Sequence, residues 1–161
     1  MAKNKEIKTN AMRILDREKI PYTTHTYECS EFIDGITIAD KLGQDYSVVY
    51  KTLVTQGKSR EYYVFVIPIA KELDMKKAAK AVGEKSVEMI HVKDINAVTG
   101  YIRGGCTAIG MKKQFKTVVD SSGENLETII VSGGKWGVQL ELKPADYIKA
   151  CRGTYSAITA D

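Results

Sequence analysis

The sequence predicts an α+β domain built on a twisted, mixed and largely antiparallel β-sheet with helices around it. Three observations lead there. Strand-like runs alternate with amphipathic helical stretches, yet the order mixes hairpins with helices and does not repeat as strict βαβ units. A polar turn, Gln56-Gly57-Lys58-Ser59, joins two apolar runs in the manner of a β-hairpin. The 161 residues, 43% hydrophobic and 27% charged, suit one compact domain spanning 1–161 with a single core.

The first element is an amphipathic helix. Ile7, Ala11, Ile14 and Leu15 recur at three- and four-residue spacing, and the helix should end before Pro21. Tyr22 to Tyr27 alternates polar and β-branched residues and reads as a strand. Gly35 to Leu42 reads as a short helix closed by Gly43. The later half of Val48-Val49-Tyr50-Lys51-Thr52-Leu53-Val54 should be a strand. Tyr62 to Ile67 is apolar on both faces, as expected of a central strand.

Asp74 is a good helix cap; Met75, Ala78, Ala79 and Val82 follow on one face and Gly83 stops the helix. A short strand near Val87 to Ile90 precedes a helix that starts near Asp94 and ends before Gly100. Lys116 to Asp120 and Thr128 to Val131 read as strands. Ser132-Gly133-Gly134-Lys135 is a turn into Gly137 to Leu142, where Val138, Leu140 and Leu142 alternate with Gln139 and Glu141. Pro144 suits the first turn of a last helix, Pro144 to Cys151.

Composition narrows the function classes. No run approaches the roughly eighteen apolar residues of a membrane span, and Met-Ala-Lys-Asn-Lys-Glu at the start lacks a signal-peptide core. The expected compartment is the cytoplasm, with no membrane partner. Cys29, Cys106 and Cys151 form no CxxC pair and no zinc spacing with His25 and His91, so free thiols and no bound metal are expected. The net charge of +4 permits an acidic partner without requiring one.

Two glycine pairs stand out: Gly104-Gly105, within Gly100-Tyr-Ile-Arg-Gly-Gly-Cys-Thr-Ala-Ile-Gly110, and Gly133-Gly134, within Ser132-Gly-Gly-Lys-Trp-Gly137. Glycine lets a backbone approach a ligand and frees amides to hold a developing oxyanion. Either pair taken alone reads more readily as a tight turn between strands. Neither fits a P-loop or dinucleotide pattern. Lys51 lies inside an apolar strand and faces either a cleft or solvent; alternation allows both. Thr52 then points to the opposite face.

No GxSxG motif is present, and neither histidine has an evident partner in sequence. Cys106 reads as loop packing more readily than as a nucleophile. Trp136 can stack on a ring or shield the end of the sheet. Lys76, Lys77, Lys80, Lys112, Lys113 and Lys116 are possible phosphate contacts, although lysine runs are usually solvated faces. The residues thus describe a glycine-lined cleft with a candidate lysine and no identified base.

Six segments follow one another along the chain: Val49-Tyr50-Lys51-Thr52-Leu53, Glu72 to Lys77, Val87-Glu88-Met89, Thr99-Gly100-Tyr101, Gly104-Gly105 and Ile130 to Lys135. In that order they resemble the YbaK/EbsC family, from about Ala11 to Lys149, in its branch of Cys-tRNA(Pro) deacylases related to the editing domain of some prolyl-tRNA synthetases. The resemblance implies a sheet curled towards a barrel and a trans-editing enzyme that cleaves the ester of mischarged tRNA. Its essential lysine maps to Lys51, with Thr52 beside it, and Tyr27 matches a pocket tyrosine. Gly104, Gly105, Ser132, Gly133 and Gly134 match the loops that line the substrate site, and Gln139 stands near an acidic residue of some deacylases.

By that analogy the substrate's own cysteine thiol attacks its ester, and Lys51 anchors the terminal adenosine or neutralises developing charge. Mischarged tRNA and prolyl-tRNA synthetase are the implied partners; DNA, metals and organic cofactors are not. The sequence also departs from the family pattern. Ala108 follows Thr107 where proline is common, Trp136 replaces an arginine, Gln139 is an amide, and the connection around Cys29 to Gly35 is shorter. Two other readings compete: a deacylase for alanine or another small amino acid using water, and a non-catalytic tRNA- or synthetase-binding module.

Overall fold

A computed structural model describes residues 8–160. The N-terminal hexapeptide and Ile7 of the first helical pattern lie outside the described residues. Helix α1 (Asn10–Arg17) is capped by Thr9, whose hydroxyl accepts from the Met12 amide, and it buries Ala11, Met12 and Leu15. Strand β1 (Thr23–Thr26) is shorter than the expected Tyr22 to Tyr27, because its ladder with the later strand runs from Thr23 to Thr26 and leaves both tyrosines outside. Helix α2 (Gly35–Leu42) starts on the Asp34 carboxylate and ends at Gly43, where φ is 67°.

Strands β2 (Tyr50–Gly57) and β3 (Tyr62–Pro68) form the expected hairpin. Helix α3 (Met75–Val82) is capped by Asp74 and stopped by Gly83, as the sequence predicts. Then come β4 (Val87–Met89), a short 3-10 turn at Val92–Asp94, α4 (Ile95–Thr99), β5 (Lys116–Asp120), β6 (Ile129–Ser132), β7 (Val138–Leu142) and α5 (Pro144–Cys151). A last strand, β8 (Thr154–Ser156), pairs in parallel with β5 and has no counterpart in the sequence reading.

The architecture is α+β with mixed pairing. Pairs β1–β7, β6–β7, β2–β3 and β2–β4 are antiparallel, whereas β3–β5 and β5–β8 are parallel. The strands divide into a five-stranded sheet, β4-β2-β3-β5-β8, and a three-stranded sheet, β1-β7-β6, and the described strands do not close into a barrel. The sheets meet where Val49 and Ile130 form a parallel bridge and the Ile130 amide donates to the Val48 carbonyl at 2.8 Å.

That junction positions the site. One edge of β2 is covered by β3. Along its other edge, β6 attaches at Val49 and β4 attaches from Thr55 onward. Lys51, Thr52 and Leu53 lie between the two attachments, with no strand paired to them on that edge.

The core explains why β3 is apolar throughout. Val64 and Val66 pack with α1, α5 and the three-stranded sheet, while Phe65 and Ile67 pack with Ala78, Ala79 and Val82 of α3. Both faces are buried, so period-two alternation disappears.

Across β1 and β7, His25 Nε2 lies 2.7 Å from Glu141 Oε1, and the Thr128 hydroxyl donates to the other carboxylate oxygen. The Thr128 hydroxyl first, and His25 second, hold the Glu141 carboxyl below the usual range. A carboxyl depressed in the fold adds stability above its unfolded pKa and loses it as pH falls through the folded value. Glu141→Gln should therefore melt earlier than the parent near about pH 7, and the gap should close near about pH 3. Melting temperatures across that range check it.

Candidate active site

A cavity of about 440 Å³ opens at the gap along β2. Its walls come from the end of β1, the segment entering α2, the start of β2, the loop after α4, and β6 with β7. Of the residues singled out in the sequence, Lys51, Thr52, Tyr27, Gly104, Ser132 and Gln139 lie on this wall. Gly105, Gly133 and Gly134 do not line it.

Those three glycines stand behind the wall, where two loops meet. A Cβ on Gly105 would sit 2.8 Å from the Lys135 Cα, so glycine lets the loop after α4 rest on the backbone of the β6–β7 turn. The Gly133 amide donates to the Val138 carbonyl at 2.9 Å, and its carbonyl accepts from the Thr9 hydroxyl at 2.6 Å. Gly134, at φ 103°, packs on Thr9 and Tyr101.

Gly104 differs. Its φ is 88°, and a Cβ there would lie 2.9 Å from Trp136 Nε1 and 3.0 Å from Phe32 Cδ1. The Trp136 indole donates to the Arg103 carbonyl at 2.8 Å, and the Ser132 hydroxyl donates to the Gly104 carbonyl at 3.3 Å. Trp136 therefore backs this loop and does not line the cavity. Ala108 is buried in the core and is also off the wall.

Phe32 and Arg103 are among the wall residues that had no site role in the sequence reading. Phe32 lies in the short connection before α2, where spacing carries no periodic signal. Arg103 precedes the first glycine pair, and its guanidinium stacks 4.2 Å above the Phe32 ring. Gln44 enters indirectly. Its amide donates to Gln139 Oε1 at 2.7 Å and accepts from Gln139 Nε2 at 3.2 Å, which orients the buried Gln139 side chain.

The chemistry of the wall is that of orientation. Asp34 is its carboxylate, but it accepts from the Thr37 amide at 2.8 Å and from the Thr37 hydroxyl. These bonds, the amide's first, hold its pKa below the usual range. Burial pushes the Cys106 thiol up to about 11, so it is protonated at neutral pH. Burial likewise raises Tyr27, which stays a phenol.

Among the described residues the hydroxyls of Thr52 and Tyr147 are buried without a hydrogen-bond partner. Lys51 and Arg103 are the cations of the wall, and neither forms an ion pair or side-chain hydrogen bond among the described residues. The flagged lysine clusters lie elsewhere: Lys77 reaches the Thr159 carbonyl and Lys112 the Ala97 carbonyl. No serine–histidine pair, paired carboxylates or metal-ligating cluster is assembled here among the described residues.

Comparison with known proteins follows the same outline. The model of the aminoacyl-tRNA editing domain matches residues 36–150. A protein of Enterococcus faecalis named as the Cys-tRNA(Pro)/Cys-tRNA(Cys) deacylase EbsC is 47% identical over 161 residues, covering 99% of this chain and 98% of its own. Two solved structures share the fold. The hypothetical protein APE2540 superposes with a TM-score of 0.85 at 19% identity, over 94% of this chain and 99% of its own. A protein described as a trans-editing enzyme for prolyl-tRNA synthetase gives 0.81 at 17% identity, over 97% and 100%.

Proposed function

The chain belongs to the aminoacyl-tRNA editing domain family, and on that premise we propose that it is a free-standing deacylase that removes cysteine wrongly attached to proline tRNA. The observation that carries this reading is a cavity holding a lysine without a nucleophile–base pair of the enzyme's own. A volume of about 440 Å³ suits a nucleoside carrying a small amino acid. Cysteine and proline have similar volumes, so a synthetase pocket discriminates poorly between them and a second site must correct the error.

The substrate supplies the nucleophile. Its thiol sulfur attacks the carbonyl carbon of its own ester, closing a four-membered thiolactone, and the bond to the ribose oxygen breaks. That oxygen takes a proton in place of the one lost by the thiol. Water then opens the thiolactone to free cysteine.

The protein's share is orientation and charge stabilisation. Lys51 anchors the terminal adenosine or neutralises charge developing at the ester. Of the two glycine pairs, Gly104 is the member on the wall; the amides of Gly105 and Gly133 already donate to Ile102 and Val138. Tyr27, Thr52, Ser132 and Gln139 contact the bound amino acid or ribose. The partners are mischarged tRNA and the prolyl-tRNA synthetase that delivers it, in the cytoplasm.

Purified protein incubated with cysteine-charged proline tRNA should remove the cysteine faster than buffer does, as followed by loss of the labelled ester. Survival of the ester even with the synthetase added would leave a binding module in its place.

A further inference from the structure

We infer that Arg103 is a phosphodiester-binding residue, holding the backbone phosphate that joins the terminal adenosine to the rest of the tRNA. The inference rests on the deacylase reading and extends it to how the substrate is registered in the cavity.

The side chain is built to present a fixed, unspent cation. Its backbone is pinned from behind by the bond from the Trp136 indole to the Arg103 carbonyl at 2.8 Å. Its guanidinium carbon lies 4.2 Å from the centroid of the Phe32 ring, a cation–π contact that holds the group and consumes none of its N–H donors. The next residue, Gly104, has no room for a side chain that would shield it. Arg103 is exposed and stands on the cavity wall.

Among the described residues no anion neutralises it. Among the described residues the salt bridges are Lys8–Asp16 and His25–Glu141, and the wall carboxylate, Asp34, is bound to Thr37. Lys51 adds a second cation to the same wall.

The ligand's own charges identify what Arg103 meets. An aminoacyl adenosine has a neutral ester, a neutral base and ribose, and an ammonium group that two cations repel. The anions of aminoacyl-tRNA are its phosphates, and the first of them lies on the 5′ side of the nucleoside inside the cavity. An arginine fork donates to two phosphate oxygens at once, which gives position as well as charge.

A stable mimic of the tRNA end tests this without turnover: cytidylyl-adenosine with cysteine joined to its ribose through an amide. A second mimic carries a neutral methylphosphonate linkage in place of the phosphodiester. Trp136 is the chain's one tryptophan and sits against Arg103, so its fluorescence reports binding. The parent protein should bind the phosphodiester mimic about tenfold more tightly than the neutral one. Arg103→Ala, checked for an unchanged melting temperature, should bring the two affinities together. Arg103→Lys should keep part of the preference, since it retains charge but not the fork.

Equal binding of both mimics by the parent, failure to bind either, or an undiminished preference in Arg103→Ala overturns the assignment. So does an equal weakening of both mimics, which would reduce Arg103 to packing on Phe32. A chain that shows the preference yet leaves esters intact sinks the deacylase reading and keeps the subsite. A chain that cleaves esters without the preference does the reverse.

Discussion

Lys51→Ala is expected to lower kcat/KM for cysteine-ester cleavage by about a hundredfold or more, the scale of removing one preorganised electrostatic group. The fold should survive the change. Lys51 is half-buried in the gap along β2, and among the described residues it has no ion pair or hydrogen bond. Its removal therefore orphans no buried partner, which is the usual source of large losses of stability. The melting temperature should fall by no more than a few degrees, a change of about 1 kcal/mol or less.

The kinetic split separates the two roles open to the lysine. A rise in KM with kcat unchanged marks an anchor for the adenosine. A fall in kcat marks charge neutralisation in the transition state. A variant that keeps the parent's rate would remove Lys51 from the mechanism altogether.

The sheet interior and helix ends were legible because they depend on local physics. Asp34 and Asp74 cap their helices through their own side chains, and Gly43 and Gly83 end them with positive φ. The unbroken apolar run of β3 announced a strand buried on both faces, and the core bears that out. The division into two sheets was not legible. It depends on Val49 meeting Ile130, a pairing between distant segments that neither segment's pattern encodes. β8 escaped for a related reason: its three residues, Thr154–Ser156, become a strand by pairing with β5, more than thirty residues earlier.

The site shows the same boundary between local and long-range information. A lysine within an apolar strand signalled something unusual at Lys51, but only the gap between β6 and β4 decides that it meets a cavity. The glycine pairs carried two readings, cleft or turn, and the structure uses both. Gly104 faces the cavity, whereas Gly105, Gly133 and Gly134 make the close backbone contacts that hold the loops together. Phe32 and Arg103 find each other only across the folded chain. Each is an ordinary loop residue when read alone.

Cysteine should leave proline tRNA about a hundredfold faster than serine, alanine or S-methylcysteine does, because only the first offers a sulfur nucleophile. A thiol with a pKa near about 8.5 is a few per cent ionised at neutral pH, while a hydroxyl is essentially never so. Serine matches cysteine in shape apart from the reacting atom. S-methylcysteine keeps the sulfur and blocks it.

The protein's own thiol on the wall does not confuse the comparison, since burial drives Cys106 up to about 11. Cleavage should rise about tenfold per pH unit below the substrate thiol's pKa and then level off, with free thiolactone or cysteine as the product. Serine or alanine esters lost at the cysteine rate would mean that the cavity activates water. The family and the reaction class would stand in that case. Lys51 and the Gly104 amide would then have to orient a water molecule, a task for which the wall offers as base the Asp34 carboxylate, already bound to Thr37.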